Sequence, residues 1–352
     1  MRHIVYPITV KKNIFFILFL TAFNLLVSGN PERMKDAVFD PDIKTVLLYQ
    51  QNEPMSNPVI NLNGDNYLTL SFDDLADDPE NYTYDFVHCD ANWQPTSIPK
   101  SDYQGGLTGN QITEYNYSFN THFNYIHYEL SFPNRDVNFK ISGNYIIKVY
   151  KGFNQEEVIL TRRFRVVEPR ITIQANVKRP SVSRERHESQ EIDFSLLMDS
   201  YSVSNPYNDI KVVICQNNRW DNAISNLKPS HIEFNKLVYQ YDEKNLFKGG
   251  SEYRYFNIKS MRYQSENIKR IEFQRPYYHV YLQPDRPRPF GEYFYNKDIN
   301  GKYYIDAQEA QNSSTDADYV YVHFTLPYDV PMTDGGIYIM GALTYWNFNE
   351  HN

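Results

Sequence analysis

From Ile43 onward the chain is a succession of short runs rich in aromatic and β-branched residues, broken every few positions by Asn, Gly, Pro or Asp. IKTVLLY, YLTLSF, YTYDFVH, YIHYELSF, YIIKVY and RRFRVV come first. ITIQANV, EIDFSLL, IKVVIC, KLVYQY, YRYFNI, KRIEF, YYHVYL, KYYID, YVYVHFTL and GIYIMG follow. Each has the length and make-up of a strand, and no segment sustains a helical period. Alternation such as Tyr145, Ile147 and Val149 against Ile146, Lys148 and Tyr150 gives one face to a core and the other to solvent or a second sheet. Closely spaced strands without helical crossovers predict an all-β chain built as two consecutive antiparallel Ig-like/early-set β-sandwich domains. The expected division is a sandwich over 30–168 and a second sandwich region over 169–352. The joint falls at Glu168-Pro169, where one strand ends and the next begins at once, and a proline cannot donate to a ladder. Gly336–Gly341 reads as a late strand with an edge still to be paired, so the second region is expected to be truncated at its C-terminus.

The first 29 residues are set apart as a secretory signal peptide. Arg2, Lys11 and Lys12 precede the apolar run Ile14–Val27, and Val27-Ser28-Gly29 supplies small residues for cleavage before Asn30. Fourteen helical residues reach about 21 Å, short of the roughly 30 Å of a bilayer core, which makes a permanent anchor the weaker reading. The chain carries 35 Lys and Arg against 43 Asp and Glu, a net charge of −8. Removing the three leader cations leaves 32 against 43, a net −11, which argues against nucleic acid and against adhesion to an anionic bilayer. With Cys89 and Cys215 as the only cysteines, neither a disulfide scaffold nor a structural zinc site is available; two buried free thiols are expected.

Few residues point to chemistry. His88 and Cys89 are adjacent on a strand and therefore face opposite ways, and His122 and His127 differ by an odd number, which disfavours a shared metal. No HExxH, GxSxG or Walker loop occurs. Asp73-Asp74 and Asp77-Asp78 are read as a solvated turn. Asp298-Ile299-Asn300-Gly301 with Asp306 is read as a hairpin turn in preference to a calcium loop, and the basic stretch from Lys178 to His187 as a solvated connection. No catalytic, metal or cofactor-binding residue is expected. Two insertions, His88–Asn124 and Gln283–Asp298, are long enough to be functional, and Trp93, Trp220 and Trp346 lie beside turn residues where aromatics serve contact as well as packing.

Six phrases go beyond generic β sequence: HCDANWQPTSIPKSDYQGG (His88–Gly106), SFNTHFNYIHYELSFPN (Ser118–Asn134), SGNYIIKVY (Ser142–Tyr150), QNNRWDNAI (Gln216–Ile224), GGSEYRYFNIKS (Gly249–Ser260) and DINGKYY (Asp298–Tyr304). In this order they closely resemble the plug protein family of the Bacteroidota type IX secretion system, from about Asp36 to Asn349. The resemblance implies a periplasmic, non-enzymatic β-sandwich subunit, without cofactor, that binds an outer-membrane translocon barrel of the SprA/Sov type and closes its periplasmic opening. It has no integral membrane segment in the mature chain. Loop position nominates Trp93, Gln94, Tyr103, Gly105 and Gly106 in the first insertion, with Trp220 and Asn222 in the second region, as partner-binding residues. Two other readings remain open. IYIMGALTYW, with Gly341 and Trp346, is similar to early-set sandwich modules that bind α-glucans, so a glycan-binding module is the alternative. An enzyme would require His88, His122, His127 or His279 to meet a carboxylate pair in one cleft.

Overall fold

A computed structural model describes residues 34–198, 201–241, 243–250, 252–286, 298–327 and 336–346; the proposed leader lies outside them. Twelve strands make the first sandwich: β1 (Ala37–Val38), β2 (Ile43–Gln50), β3 (Val59–Asn61), β4 (Leu68–Asp74), β5 (Tyr82–Cys89), β6 (Gln104–Gly106), β7 (Asn110–Ile112), β8 (Glu114–Tyr117), β9 (Ile126–Phe132), β10 (Val137–Phe139), β11 (Gly143–Lys151) and β12 (Val158–Val167). Sheet I runs β1-β12-β11-β5-β7, with β3 parallel to β12, and sheet II runs β2-β4-β9-β8. A small β6–β10 ribbon caps them.

The two-residue alternation decides what each face does. On sheet I, Tyr145, Ile147 and Val149 stand opposite His88, Phe86 and Tyr84 on one side and Phe164, Arg162 and Leu160 on the other. Most of these side chains turn inward and meet Leu68, Leu70, Phe72, Tyr128 and Phe132 of sheet II in one core. The centre is aromatic: the Phe86 ring lies 5.0 Å from Phe132, 5.1 Å from Phe139 and 5.7 Å from Phe164, spacings at which edge-to-face contacts add to area burial. Arg162 occupies an inward position among these apolar side chains. Its guanidinium stays buried because it donates to the carbonyls of Ala37 (3.3 Å), Thr161 (2.9 Å) and Val46 (3.2 Å) and stacks 4.3 Å from the Tyr345 ring.

The outer face of sheet II is polar in sequence, with Thr69, Ser71 and Asp73 alternating with core residues, yet all three are buried. The cover comes from the far end of the chain. Phe119 N–H donates to Thr315 O, Tyr125 hydroxyl to Ala317 O, and Lys302 Nζ to Met55 O.

The remaining strands are β13 (Thr172–Lys178), β14 (Ser189–Leu197), β15 (Val213–Ile214), β16 (Ile224–Ser225), β17 (His231–Glu233), β18 (Lys236–Tyr239), β19 (Leu246–Lys248), β20 (Ile268–Gln274), β21 (Tyr277–Leu282) and β22 (Val320–His323). Sheet III is β13-β14-β18-β17, with β19 also against β14, over a core of Phe194, Leu196, Leu227, Leu237 and Tyr239. Sheet IV joins β20, β21 and β22, the last pair parallel. The chain is thus all-β, and its sheets are predominantly antiparallel. Three of the expected strands, at Tyr253–Ile258, Lys302–Asp306 and Gly336–Gly341, carry no strand pairing; strand composition marks a residue for a pleated surface but does not supply the neighbouring edge.

The basic stretch is drawn into ion pairs. Lys178 reaches Glu191 (3.1 Å) and Asp193 (2.6 Å), and Arg184 reaches Glu243. Burial alone would raise the pKa of Glu191, whose side chain is almost wholly enclosed. Hydrogen bonds from the Ser181 amide, Lys178 and the Ser181 hydroxyl outweigh that and hold it below the usual range. A depressed carboxylate stabilises the fold fully above its unfolded value, near 4.3, and the contribution is lost as pH falls through the lower folded value. Urea midpoints of wild type and Glu191→Gln should therefore differ by a constant amount above about pH 5.5 and converge below the ordinary Glu range. A constant gap down to pH 3 would contradict this.

Candidate partner-binding surface

The outer face of sheet I presents Val87 and Cys89 from β5, Ile146 from β11 and Arg163 and Arg165 from β12. Beyond β5, Asp90 closes a tight turn: its Oδ1 accepts from the Asn92 and Gln94 amides at 2.8 and 2.9 Å, while Trp93, with φ of 62°, donates its amide to Asp90 O. That left-handed residue folds the indole back onto Met34, Cys89 and Ile146. Trp220 arrives from the second region to meet Trp93 edge to face at 5.3 Å. Arg163 lies 4.5 Å over Trp93 and gives two hydrogen bonds to Met34 O, and Arg165 lies 5.1 Å over Trp220.

The expectation of an exposed loop is therefore corrected for two of the nominated residues. Trp93 is 3% exposed and Tyr103 7%; the Tyr103 hydroxyl donates to Phe86 O. A sequence places both beside turn residues, but the turn points them inward. Gln94 is exposed, and Trp220 and Asn222 are half-buried, with Asn222 Nδ2 donating to Gln216 Oε1 at 3.0 Å. Gly105 and Gly106 lie in β6 opposite Asn138 and Val137. At Gly106, with φ of +92°, a Cβ would sit 1.9 Å from Asp136 O. Gly106→Ala should consequently lose about 1–3 kcal/mol in a denaturation titration, and a neutral result would show that the ribbon yields.

The exposed aromatic surface lies further along the same insertion. Tyr117 is 58% exposed and Phe119 73%, with Tyr115 the third of the set, and the aliphatic Leu107 of the β6–β7 loop is 70% exposed. Tyr115 and Tyr117 stand on β8, the outermost strand of sheet II, whose four residues are all exposed, and their rings meet at 6.0 Å. The signal was present in the sequence as aromatics at every second position of YNYSF, a period that puts them on one side of an extended chain.

Of the four histidines weighed for chemistry, His122 and His127 line one cavity together with Asp73 and Asp318, and His88 and His279 lie outside it. His88 turns into the core, between Thr96 Oγ1 at 2.8 Å and the Tyr145 ring, while Cys89 faces outward. Both cysteines are free, Cys89 buried and Cys215 half-buried, and burial pushes the Cys89 thiol up to about 11, away from a nucleophilic thiolate. His122 meets Asp318 at 3.0 Å, His127 meets Asp73 at 2.6 Å, and His279 meets His323 at 2.9 Å. Asp73 and Asp74, expected in solvent, are both buried at the end of β4. Asp73 holds His127 and the Tyr319 hydroxyl, the latter at 2.6 Å, and Asp74 accepts from Tyr82 at 2.7 Å. Asp77 and Asp78 are exposed as expected. Among the described residues no cluster of three His, Cys, Asp or Glu has metal-holding geometry, and no helix is long and apolar enough to cross a membrane.

Asn300 and Gly301, with φ of 53° and 70°, form a turn closed by Lys302 N–H to Ile299 O, but not the expected hairpin, because Lys302–Asp306 pairs with no strand. Asp298 spends its oxygens on the Asn300 and Tyr253 amides. A Cβ on Gly301 would meet the Trp346 ring at 2.6 Å. Trp346 itself packs edge-on to Tyr253 and beneath Arg219.

These features define an all-β protein whose buried Asp73, Asp74 and His127 serve internal contacts and whose exposed aromatics line a sheet edge. The family model described as type 9 secretion system plug protein 1st domain matches residues 43–168, which span most of the first sandwich from β2 onward. A crystal structure of a hypothetical protein from Parabacteroides merdae is similar at 34% identity and a TM-score of 0.86, over 90% of this chain and 80% of that one. No curated protein matches. The chain belongs to the type IX secretion system plug protein family.

Proposed function

We propose that the chain is a non-enzymatic periplasmic subunit that binds the outer-membrane translocon barrel of the type IX system and closes its periplasmic opening. The observation that carries this reading is the family match over the first sandwich. The fold supports it physically: an occluding part must resist deformation, and the aromatic core of the first sandwich is covered on both faces by later parts of the chain. The exposed edge at Tyr115, Tyr117 and Phe119 is the proposed contact, together with Gln94, Trp220 and Asn222, because rigid aromatic anchors carry much of the energy at interfaces.

The test is a photo-crosslinking residue at position 117 or 119 in cells exporting the full chain. Capture of the barrel there, with increased leakage of a bulky antibiotic through the outer membrane on deletion, is the expected result. Absence of a barrel adduct from both positions, or unchanged leakage on deletion, would overturn it.

A further inference from the structure

Three arginines follow one another closely on β12, and their circumstances differ. Arg162 is satisfied by three carbonyls and Arg163 by Met34 O. Arg165 is half-buried with its backbone amide bound to Pro58 O. Among the described residues nothing accepts a hydrogen bond from its guanidinium, which lies 5.1 Å over Trp220 and 6.0 Å from Trp93. A partly desolvated cation without an acceptor is costly, and burial lowers its pKa, only partly offset by Cys215 and Asp36. Asp36 is already committed through Oδ1 to the Arg163 amide at 2.6 Å.

Arg165 borders a cavity of about 410 Å³ between the first sandwich and the second region. Asn144, Lys211, Cys215, Asn218 and Trp220 also line it, so the wall holds two cations and no carboxylate. Lys211 is exposed, at the mouth. In a chain of net charge −8 this is a local reversal of sign, at a junction of the kind where ligand sites concentrate.

We propose that this pocket binds a carboxylate group, with the Arg165 fork as bidentate donor, the Trp220 face as its wall and Lys211 as the second charge. A planar guanidinium pairs two parallel N–H donors with two carboxylate oxygens, and the aromatic face holds that plane in orientation. The inference rests on the pocket alone and is independent of the barrel reading.

The experiment titrates the purified full chain with three isosteric probes: N-acetyl-glutamate amide (a side-chain carboxylate), N-acetyl-glutamine (a terminal carboxylate) and N-acetyl-glutamine amide (neither). Tryptophan fluorescence and the arginine Nε–H NMR signals are the readouts. A saturable response to at least one acid and none to the diamide is expected, weakened about tenfold in Arg165→Gln and partly restored in Arg165→Lys, with Arg170→Gln binding as wild type does. Unchanged thermal unfolding of the variants separates lost binding from lost folding. The tighter of the two acids identifies an acidic side chain or a chain terminus as the natural source. An equal response to the diamide, full binding by Arg165→Gln, or inorganic phosphate binding more tightly than either acid would overturn the proposal.

Discussion

Asp73→Ala should cost the folded chain about 3–5 kcal/mol, the range for removing one member of a buried hydrogen-bonded polar pair. The carboxylate is 4% exposed and both oxygens are engaged: Oδ1 with His127 Nδ1 at 2.6 Å and Oδ2 with the Tyr319 hydroxyl at 2.6 Å. The same hydroxyl lies 2.7 Å from Thr45 Oγ1. Alanine would leave an imidazole and a phenol enclosed with unmet hydrogen-bonding capacity, each costing about 1–3 kcal/mol. The change should also be local. Tyr319 belongs to the segment covering sheet II, so limited proteolysis should cut near it in the variant before the first sandwich is attacked. A double-mutant cycle with Tyr319→Phe should give a coupling of about 0.5–3 kcal/mol. A loss below about 1 kcal/mol, with no new proteolytic site, would mean that water satisfies these groups and that the cover is held by apolar contact instead.

Phe86→Ala should be of similar size, about 3–5 kcal/mol, for a different reason. Phe86 is 1% exposed and is ringed by Tyr84, Phe132, Phe139 and Phe164. Truncation opens a cavity whose walls are rigid rings from both sheets and the capping ribbon, which cannot collapse together without breaking their own strand register. The matched control is Phe119→Ala, at 73% exposure, which should stay within about 0.5 kcal/mol while lowering barrel cross-linking if the proposed contact surface is correct. Equal destabilisation by the two substitutions, measured by urea unfolding, would contradict the assignment of core and edge.

Tyr145, Ile147 and Val149 show how much of the first sandwich could be read in advance. Their two-residue spacing names the core face, and all three are in the core. Ile146, one step out of phase, joins Trp93 on the opposite face. The same parity separates His88 from Cys89. Periodicity failed where the partner lay far along the chain. Thr69, Ser71 and Asp73 have the alternation of a solvent face, and only the arrival of Tyr319, 246 residues later, makes that face interior. Trp93 escapes local pattern for a related reason: its neighbours spell a loop, and the direction of the indole depends on a left-handed backbone that the composition does not announce. The unpaired segments at Tyr253–Ile258 and Lys302–Asp306 have strand residues and lack strand neighbours.

The amino-acid order by itself determined the all-β class, the inward and outward faces of the long strands, the turn at Asn300-Gly301 and the motifs that carry the family resemblance. These depend on local periodicity and on backbone preferences that act over a few residues. Only the tertiary structure decided that the polar face of sheet II is covered, that Trp93 and Trp220 meet across the two regions, that Tyr115, Tyr117 and Phe119 remain exposed, and that Arg165 alone among its neighbours faces an open pocket without an acceptor. Each of these is a contact, or a missing contact, between residues tens to hundreds of positions apart, and burial of a polar group is a property of what lies over it.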